Sequence, residues 1–235
     1  MNEHLSKQFD SELDALRAQV TRMGGLVEEQ CRAALIAFDE CDPELIETVI
    51  AGDEQVDKLE ISIDEACTHI MMRRQPIAID LRMVMAVGKT VTDLERIGDE
   101  AKKIAKITRN IMERSMSRCF MQIIEIRHMG DQVASMLHQV LDAFVRHDIA
   151  AATEVIRRDR EIDVHFRSVA RHLITYMMED PRTISTALDV IFIAKSIERI
   201  GDHCKNIAKD VIYIAEGRDL RHVRFDDPSS EDKTL

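Results

Sequence analysis

From Val84 the small and apolar positions run Val84, Val87, Val91, Leu94, Gly98, Ala101 and Ala105, alternately three and four residues apart. That spacing keeps one face of a helix turned towards its neighbours in a bundle. A second run, Ala187, Val190, Ala194, Ile197, Gly201, Cys204, Ala208 and Val211, repeats it, and Ile193, Ile200, Ile207 and Ile214 widen the stripe on one side. Read along the whole chain, the pattern predicts six helices, over residues 6–40, 44–73, 77–112, 117–147, 150–179 and 182–216. Capping chemistry supports these limits. Asp42-Pro43 and Asp180-Pro181 each offer a side-chain acceptor at the cap and a ring at the first helical position. Pro76 is expected to open the third helix in the same way, and Gly217 to stop the sixth.

The two runs belong to a duplication. Glu95-Arg96-Ile97-Gly98-Asp99 recurs as Glu198-Arg199-Ile200-Gly201-Asp202, and the match continues through Lys102/Lys205, Ile104/Ile207 and Ala105/Ala208, at an offset of 103. Upstream, an offset of 106 aligns Met23-Gly24 with Met129-Gly130, Ala37-Phe38 with Ala143-Phe144, Asp53 and Asp57 with Asp159 and Asp163, and Met71-Met72 with Met177-Met178. A repeat of this length containing three helices predicts an all-α fold of two tandem, pseudo-symmetric three-helix bundles. The boundaries fall at 1–115 for the first bundle, 116–217 for the second and 218–235 for a charged, mobile tail. Short links leave two arrangements open, side by side or end to end.

Composition narrows the function. Only eight Gly and four Pro punctuate 235 residues, too few for the turns of a sandwich or barrel. With 32 Lys plus Arg against 43 Asp plus Glu, the net charge of −11 leaves no domain-wide basic surface, so no nucleic-acid partner is expected. Arg73-Arg74 and the basic turn Arg157 to Arg160 read first as solvated faces, and only secondarily as contacts for an acidic partner. The longest run without Asp, Glu, Lys or Arg is the ten residues from Gln132 to Leu141, about half a membrane span. The first ten residues hold both signs of charge and no apolar leader core, so a cytoplasmic location is expected. Five scattered cysteines, Cys31, Cys41, Cys67, Cys119 and Cys204, read as buried thiols. The thirteen Met read as core filler.

Candidate chemistry lies in the carboxylates. With Val91 and Leu94 on the seam, Glu95 and Asp99 fall one turn apart on one flank, and the same register on the second helix pairs Asp53 with Asp57. The copies are Glu198 with Asp202 and Asp159 with Asp163. Oxygen-only sets of this kind suit Mg²⁺, Mn²⁺, Ca²⁺ or ferric iron. The competing reading is a salt-bridged flank, since Lys102 and Lys205 follow Asp99 and Asp202 by three residues. Gly98 and Gly201 suggest close approach of another helix backbone. A di-iron bundle needs Glu-x-x-His on facing helices, and Glu125 to His128 has only Gln19 and Arg22 as repeat equivalents. His165 and His172 stand singly. No nucleophile or phosphate-loop motif occurs, so no enzyme is expected.

The doubled Glu-Arg-Ile-Gly-Asp, with Asp-Glu-Ala-Cys at Asp64 to Cys67, Arg74-Gln75-Pro76 after it and Tyr176-Met177-Met178-Glu179-Asp180 in the second repeat, resembles the PhoU family from about His4 to Phe225. The resemblance implies two three-helix bundles in a cytoplasmic protein, often a homodimer. It implies a negative regulator of the phosphate regulon and modulator of phosphate uptake, a non-enzymatic adaptor in two-component signalling. The partners implied are the ATPase subunit PstB of the phosphate ABC transporter and the sensor histidine kinase PhoR, with the membrane met only through them. Metal ions, divalent or ferric (Mg, Mn, Fe, Zn or Ni), are implied at Glu95, Asp99, Glu198 and Asp202. The alternative class is a metal-binding or storage bundle using all the paired carboxylates.

Overall fold

The computed structural model describes residues 2–114 and 124–220. Six helices account for almost all of them: α1 (Asn2–Glu40), α2 (Pro43–Arg74), α3 (Ala78–Glu113), α4 (Ile124–Arg146), α5 (Ile149–Glu179) and α6 (Ile184–Glu216). Helices α1, α2 and α3 pack on one another, as do α4, α5 and α6, so each sequence repeat is a three-helix bundle. The expected start of the fourth helix, over 117–123, lies outside the described residues, as do Cys119 and the tail beyond Leu220.

Local chemistry explains where the helices begin and end. Asp42 accepts from the backbone N–H groups of Glu44 at 2.9 Å and Leu45 at 3.2 Å. Its repeat equivalent Asp148, not singled out in the sequence, accepts from Ala151 N–H at 3.0 Å and caps α5. Asp180-Pro181 opens a 3₁₀ turn, Pro181–Thr183, that runs directly into α6. Pro76 does not start α3: the chain passes through extended Ile77, which offers no side-chain cap, and the helix begins at Ala78. Gly217 ends α6 at φ 73°, its N–H donating to the Tyr213 carbonyl at 2.9 Å. Leu220, within the stretch expected as a tail, is buried against the core.

The bundles lie side by side. Helix α3 packs on α1, α2 and α6, and carries two buried columns. The first, Val84 to Ala105, faces its own bundle, where Gly98 lies beside Val56 and Asp53 of α2. The second, Met83, Thr90, Ile97, Ile104 and Ile111, recurs every seven residues and is buried on a helix that also packs against α6. Its equivalents on α6 are Thr186, Ile193, Ile200, Ile207 and Ile214, all buried as well. Each isoleucine withdrawn from water here contributes about 1.5–3 kcal/mol. Asp93 meets His203 at 2.7 Å, Glu100 meets Arg199 at 2.8 Å and Arg114 meets Asp189 at 2.7 Å, so α3 and α6 run antiparallel. The α2–α3 and α5–α6 turns therefore sit at opposite ends of the molecule.

Helices α1 and α4 make the second strip of the seam, with Arg127 on Asp39 at 3.1 Å and His138 on Glu28 at 3.1 Å. Its contacts are reciprocal. Leu141 lies on Gly24, where a Cβ would stand 2.6 Å from its Cδ2, and Leu35 lies on Gly130, where a Cβ would stand 2.9 Å away. Leu35 and Leu141 are repeat equivalents, as are Gly24 and Gly130. Of the described methionines, Met71, Met72, Met85 and Met178 depart from the core role expected of them and are exposed.

Adjacent glycines on α1 test this packing. A Cβ at Gly25 meets nothing within 4 Å. Gly25→Ala should raise stability by about 1 kcal/mol through helix propensity. Gly24→Ala should lower it by about 1 kcal/mol, because the overpacking cost of about 1–3 kcal/mol exceeds that gain. Urea unfolding of the two variants beside the parent decides it.

Candidate functional site

Asp53, expected on a ligand-bearing flank, points into the first bundle and is 3 % exposed. Lys102 of α3 donates to its Oδ2, and Gln30 of α1 donates to its Oδ1 at 3.3 Å and to the Val49 carbonyl at 3.2 Å. Gly98 makes room for this junction: a Cβ there would stand 3.2 Å from Gln30 Oε1 and 3.7 Å from Asp53 Oδ1. The neighbour that the glycine accommodates is thus a set of side chains and not the backbone of a crossing helix. The Asp53 hydrogen bond, and then the charges of Asp53, Asp99 and Asp57, hold Lys102 above its ordinary pKa against the effect of burial.

The second repeat builds the same junction. Lys205 donates to Asp159 Oδ2 at 2.5 Å and lies 3.7 Å from Asp202 Oδ1. Burial disfavours the Lys205 charge, yet Asp159, Asp202 and Asp163 keep its pKa above the ordinary value. Asp159 is itself buried, which raises its pKa despite the lysine. A Cβ on Gly201 would sit in ordinary contact, 3.6 Å from Asp159 Oδ1. Of the eight carboxylates singled out in the sequence, six therefore gather as two trios, Asp53, Asp57 and Asp99 around Lys102, and Asp159, Asp163 and Asp202 around Lys205.

The remaining two, Glu95 and Glu198, differ. Glu95 is mostly buried, which pushes its pKa up to about 6; Asp99 adds to this, Arg96 opposes it and Glu60 adds again. Arg96 lies 3.4 Å from Glu95 Oε2 and 3.7 Å from Asp99 Oδ2. Glu60, not recognised in the sequence, is raised by burial and by Asp64 and Asp57. In the second repeat Phe166 stands where Glu60 stands, and Lys195 where Thr92 stands. The Lys195 ammonium lies 2.5 Å from Glu198 Oε2 and 5.3 Å from the centre of the Phe166 ring. The repeats have diverged here at two neighbouring positions.

This arrangement bears on cations. Among the described residues no three His, Cys, Asp or Glu stand ready as a metal cage. In the second repeat, Lys195 pairs with Glu198 and Lys205 with Asp159, as Lys102 pairs with Asp53 in the first. In the first, Glu60, Glu95 and Asp99 repel one another, with Arg96 as their nearby cation. The histidines do not join them. His165 Nδ1 lies 2.9 Å from Gln132 Oε1, and His172 pairs with Glu125 at 3.3 Å. Of the described thiols, Cys31, Cys67 and Cys204 are buried and Cys41 half-buried; burial pushes Cys31 up to about 12 and Cys67 up to about 11.

Two pseudo-symmetric bundles, each with a lysine set among three aspartates at the same level, define a duplicated helical scaffold. The chain belongs to the PhoU family: the PhoU domain matches residues 20–108 and again 126–211. It is 44% identical to the phosphate-specific transport system accessory protein PhoU of Escherichia coli strain K12, over 97% of this chain and 93% of that one. A homolog of that protein from Pseudomonas aeruginosa is 44% identical over 95% of this chain and 91% of its own length. The crystal structure of PhoU from Pseudomonas aeruginosa superposes with a TM-score of 0.86, covering 89% of this chain and all of that one at 44% identity. The phosphate transport system regulatory protein PhoU from Streptococcus pneumoniae gives 0.82 at 28% identity, covering 90% of this chain and 98% of that one.

The raised Glu95 makes a pH prediction. A carboxyl with its pKa lifted from 4.5 to about 6 holds its proton more tightly folded than unfolded. Its stabilising contribution is complete below about 4.5 and is lost as pH rises through about 6. Glu95→Gln should therefore stabilise the protein on the order of 1 kcal/mol at neutral pH, after solvent screening, and by little at the acid end. Urea midpoints of parent and variant across that window measure the difference.

Proposed function

We propose that this chain is a negative regulator of the phosphate regulon and a modulator of phosphate uptake, acting as a non-enzymatic adaptor between the transporter ATPase PstB and the sensor kinase PhoR. The observation that carries the proposal is likeness over almost the whole chain to proteins named phosphate-specific transport system accessory proteins. The fold suits the role. Helices α2 and α5 form opposite outer flanks of a rigid slab, each touching only its own bundle, and so offer two related surfaces to two partners. No described helix is long and apolar enough to cross a membrane. The proposal places the protein in the cytoplasm as a homodimer, with the membrane reached through the transporter.

A strain lacking its own accessory protein provides the test. This chain should restore repression of phosphate-starvation genes in phosphate-rich medium, and the purified protein should retain both the ATPase and the kinase. Restored repression without binding to either would sink the adaptor mechanism, and no repression would sink the regulatory role.

A second reading, a hard cation such as Mg²⁺ or Mn²⁺, is favoured at the first repeat alone by the mutual repulsion of Glu60, Glu95 and Asp99. Elemental mass spectrometry of dialysed protein should find metal that Glu95→Gln plus Asp99→Asn removes and Glu198→Gln plus Asp202→Asn does not. Equal retention by both variants would exclude that assignment.

A further inference from the structure

Helix α5 carries an outward row that the function above does not explain. Arg157, Arg160, Val164, Arg167, Arg171 and Ile174 follow one another at alternating spacings of three and four, and every one of them is exposed. The row covers 18 residues, from Arg157 to Ile174, about 26 Å of helix. It is basic on a protein of net charge −11. The equivalent row of α2 has the opposite character: Glu54 and Glu65 stand where Arg160 and Arg171 stand, and Lys58 and Ile61 where Val164 and Arg167 stand. Duplication made the two flanks alike in shape, and sequence divergence made them unlike in charge.

We propose that the outer face of α5 docks an acidic helical surface of a partner protein, one of the two that the adaptor reading requires. Charge complementarity selects an acidic partner. Shape selects a protein over a lipid surface. Midway along the row, Arg160, Glu161, Val164 and His165 line a dent of about 280 Å³. A flat headgroup layer leaves such a dent empty, whereas an apolar side chain from a facing helix fills it. Val164, 57 % exposed, is the apolar residue among those that line it. Carboxylates one turn to either side on the same helix then fall opposite the arginines, since both helices share the three-and-four spacing. An acidic partner that presents one apolar knob between carboxylates therefore matches this row in charge and period.

The proposal rests on the adaptor reading, and one experiment separates them. Purified PstB-type ATPase and the cytosolic part of the PhoR-type kinase are each titrated with the parent protein, with Arg167→Glu plus Arg171→Glu, and with Val164→Asp. All three substituted side chains are exposed, and matching thermal unfolding curves confirm that the variants fold. The expected result is at least a tenfold loss of affinity for one partner in both variants, with the other partner unaffected, and a parent affinity that falls as salt is raised. Undiminished binding of both partners by the variants overturns the docking site and leaves the adaptor standing. Failure of the parent to bind either overturns both. Cosedimentation of the parent, but not the variants, with phosphatidylglycerol vesicles, without any effect on the two proteins, assigns the row to the membrane and overturns the proposal.

Discussion

Helices α3 and α6 each carry two apolar columns, and a three-helix bundle can cover only one of them. The first column of each is satisfied within its own repeat; the second, of isoleucines seven residues apart, has to find another helix. The two helices solve this for each other by lying antiparallel, and the rest of the architecture follows. Helices α1 and α4 are brought into contact as a second strip, α2 and α5 are left on the outside, and the connecting turns of the two repeats are sent to opposite ends. Polar pairs such as Asp93–His203 and Glu100–Arg199 fix the register of a seam whose apolar surface is otherwise tolerant of sliding.

Much of the fold was legible in the chain because helical periodicity and duplication are local and repetitive signals. The alternation of Val84 to Ala105 and its copy identified the helices, and capping at Asp42 and Gly217 identified their ends. What was not legible is what depends on one repeat meeting the other. The pairing of Asp93 with His203, or Leu35 with Gly130, joins residues about 100 positions apart. Their match exists only once the antiparallel arrangement is chosen, and sequence periodicity is silent on that choice.

The candidate site divided in the same way. Residue type and register identified the carboxylates that cluster, but not their depth, and depth decides their chemistry. Asp53 and Asp57 are one turn apart, yet the first is held inside the bundle and the second is on the surface. An isolated buried carboxylate is costly, and Lys102 and Lys205 supply the countercharge to Asp53 and Asp159. Glu60 escaped notice because its copy is Phe166, so a search guided by symmetry passes over it. The asymmetry is itself informative: one repeat has neutralised its glutamate with Lys195, and the other has left Glu95 among acids.

The reciprocal fit of Leu35 on Gly130 and Leu141 on Gly24 meets the definition of an isologous contact, in which each half offers the same patch to the other. This seam is the interface of a two-fold dimer closed within one polypeptide. Closure changes what selection can act upon. Two separate copies must carry every substitution twice, so a flank can be acidic or basic on both halves but not one of each. Joined halves keep the shared seam while their outer faces vary independently, and a symmetric assembly becomes a molecule with two different ends.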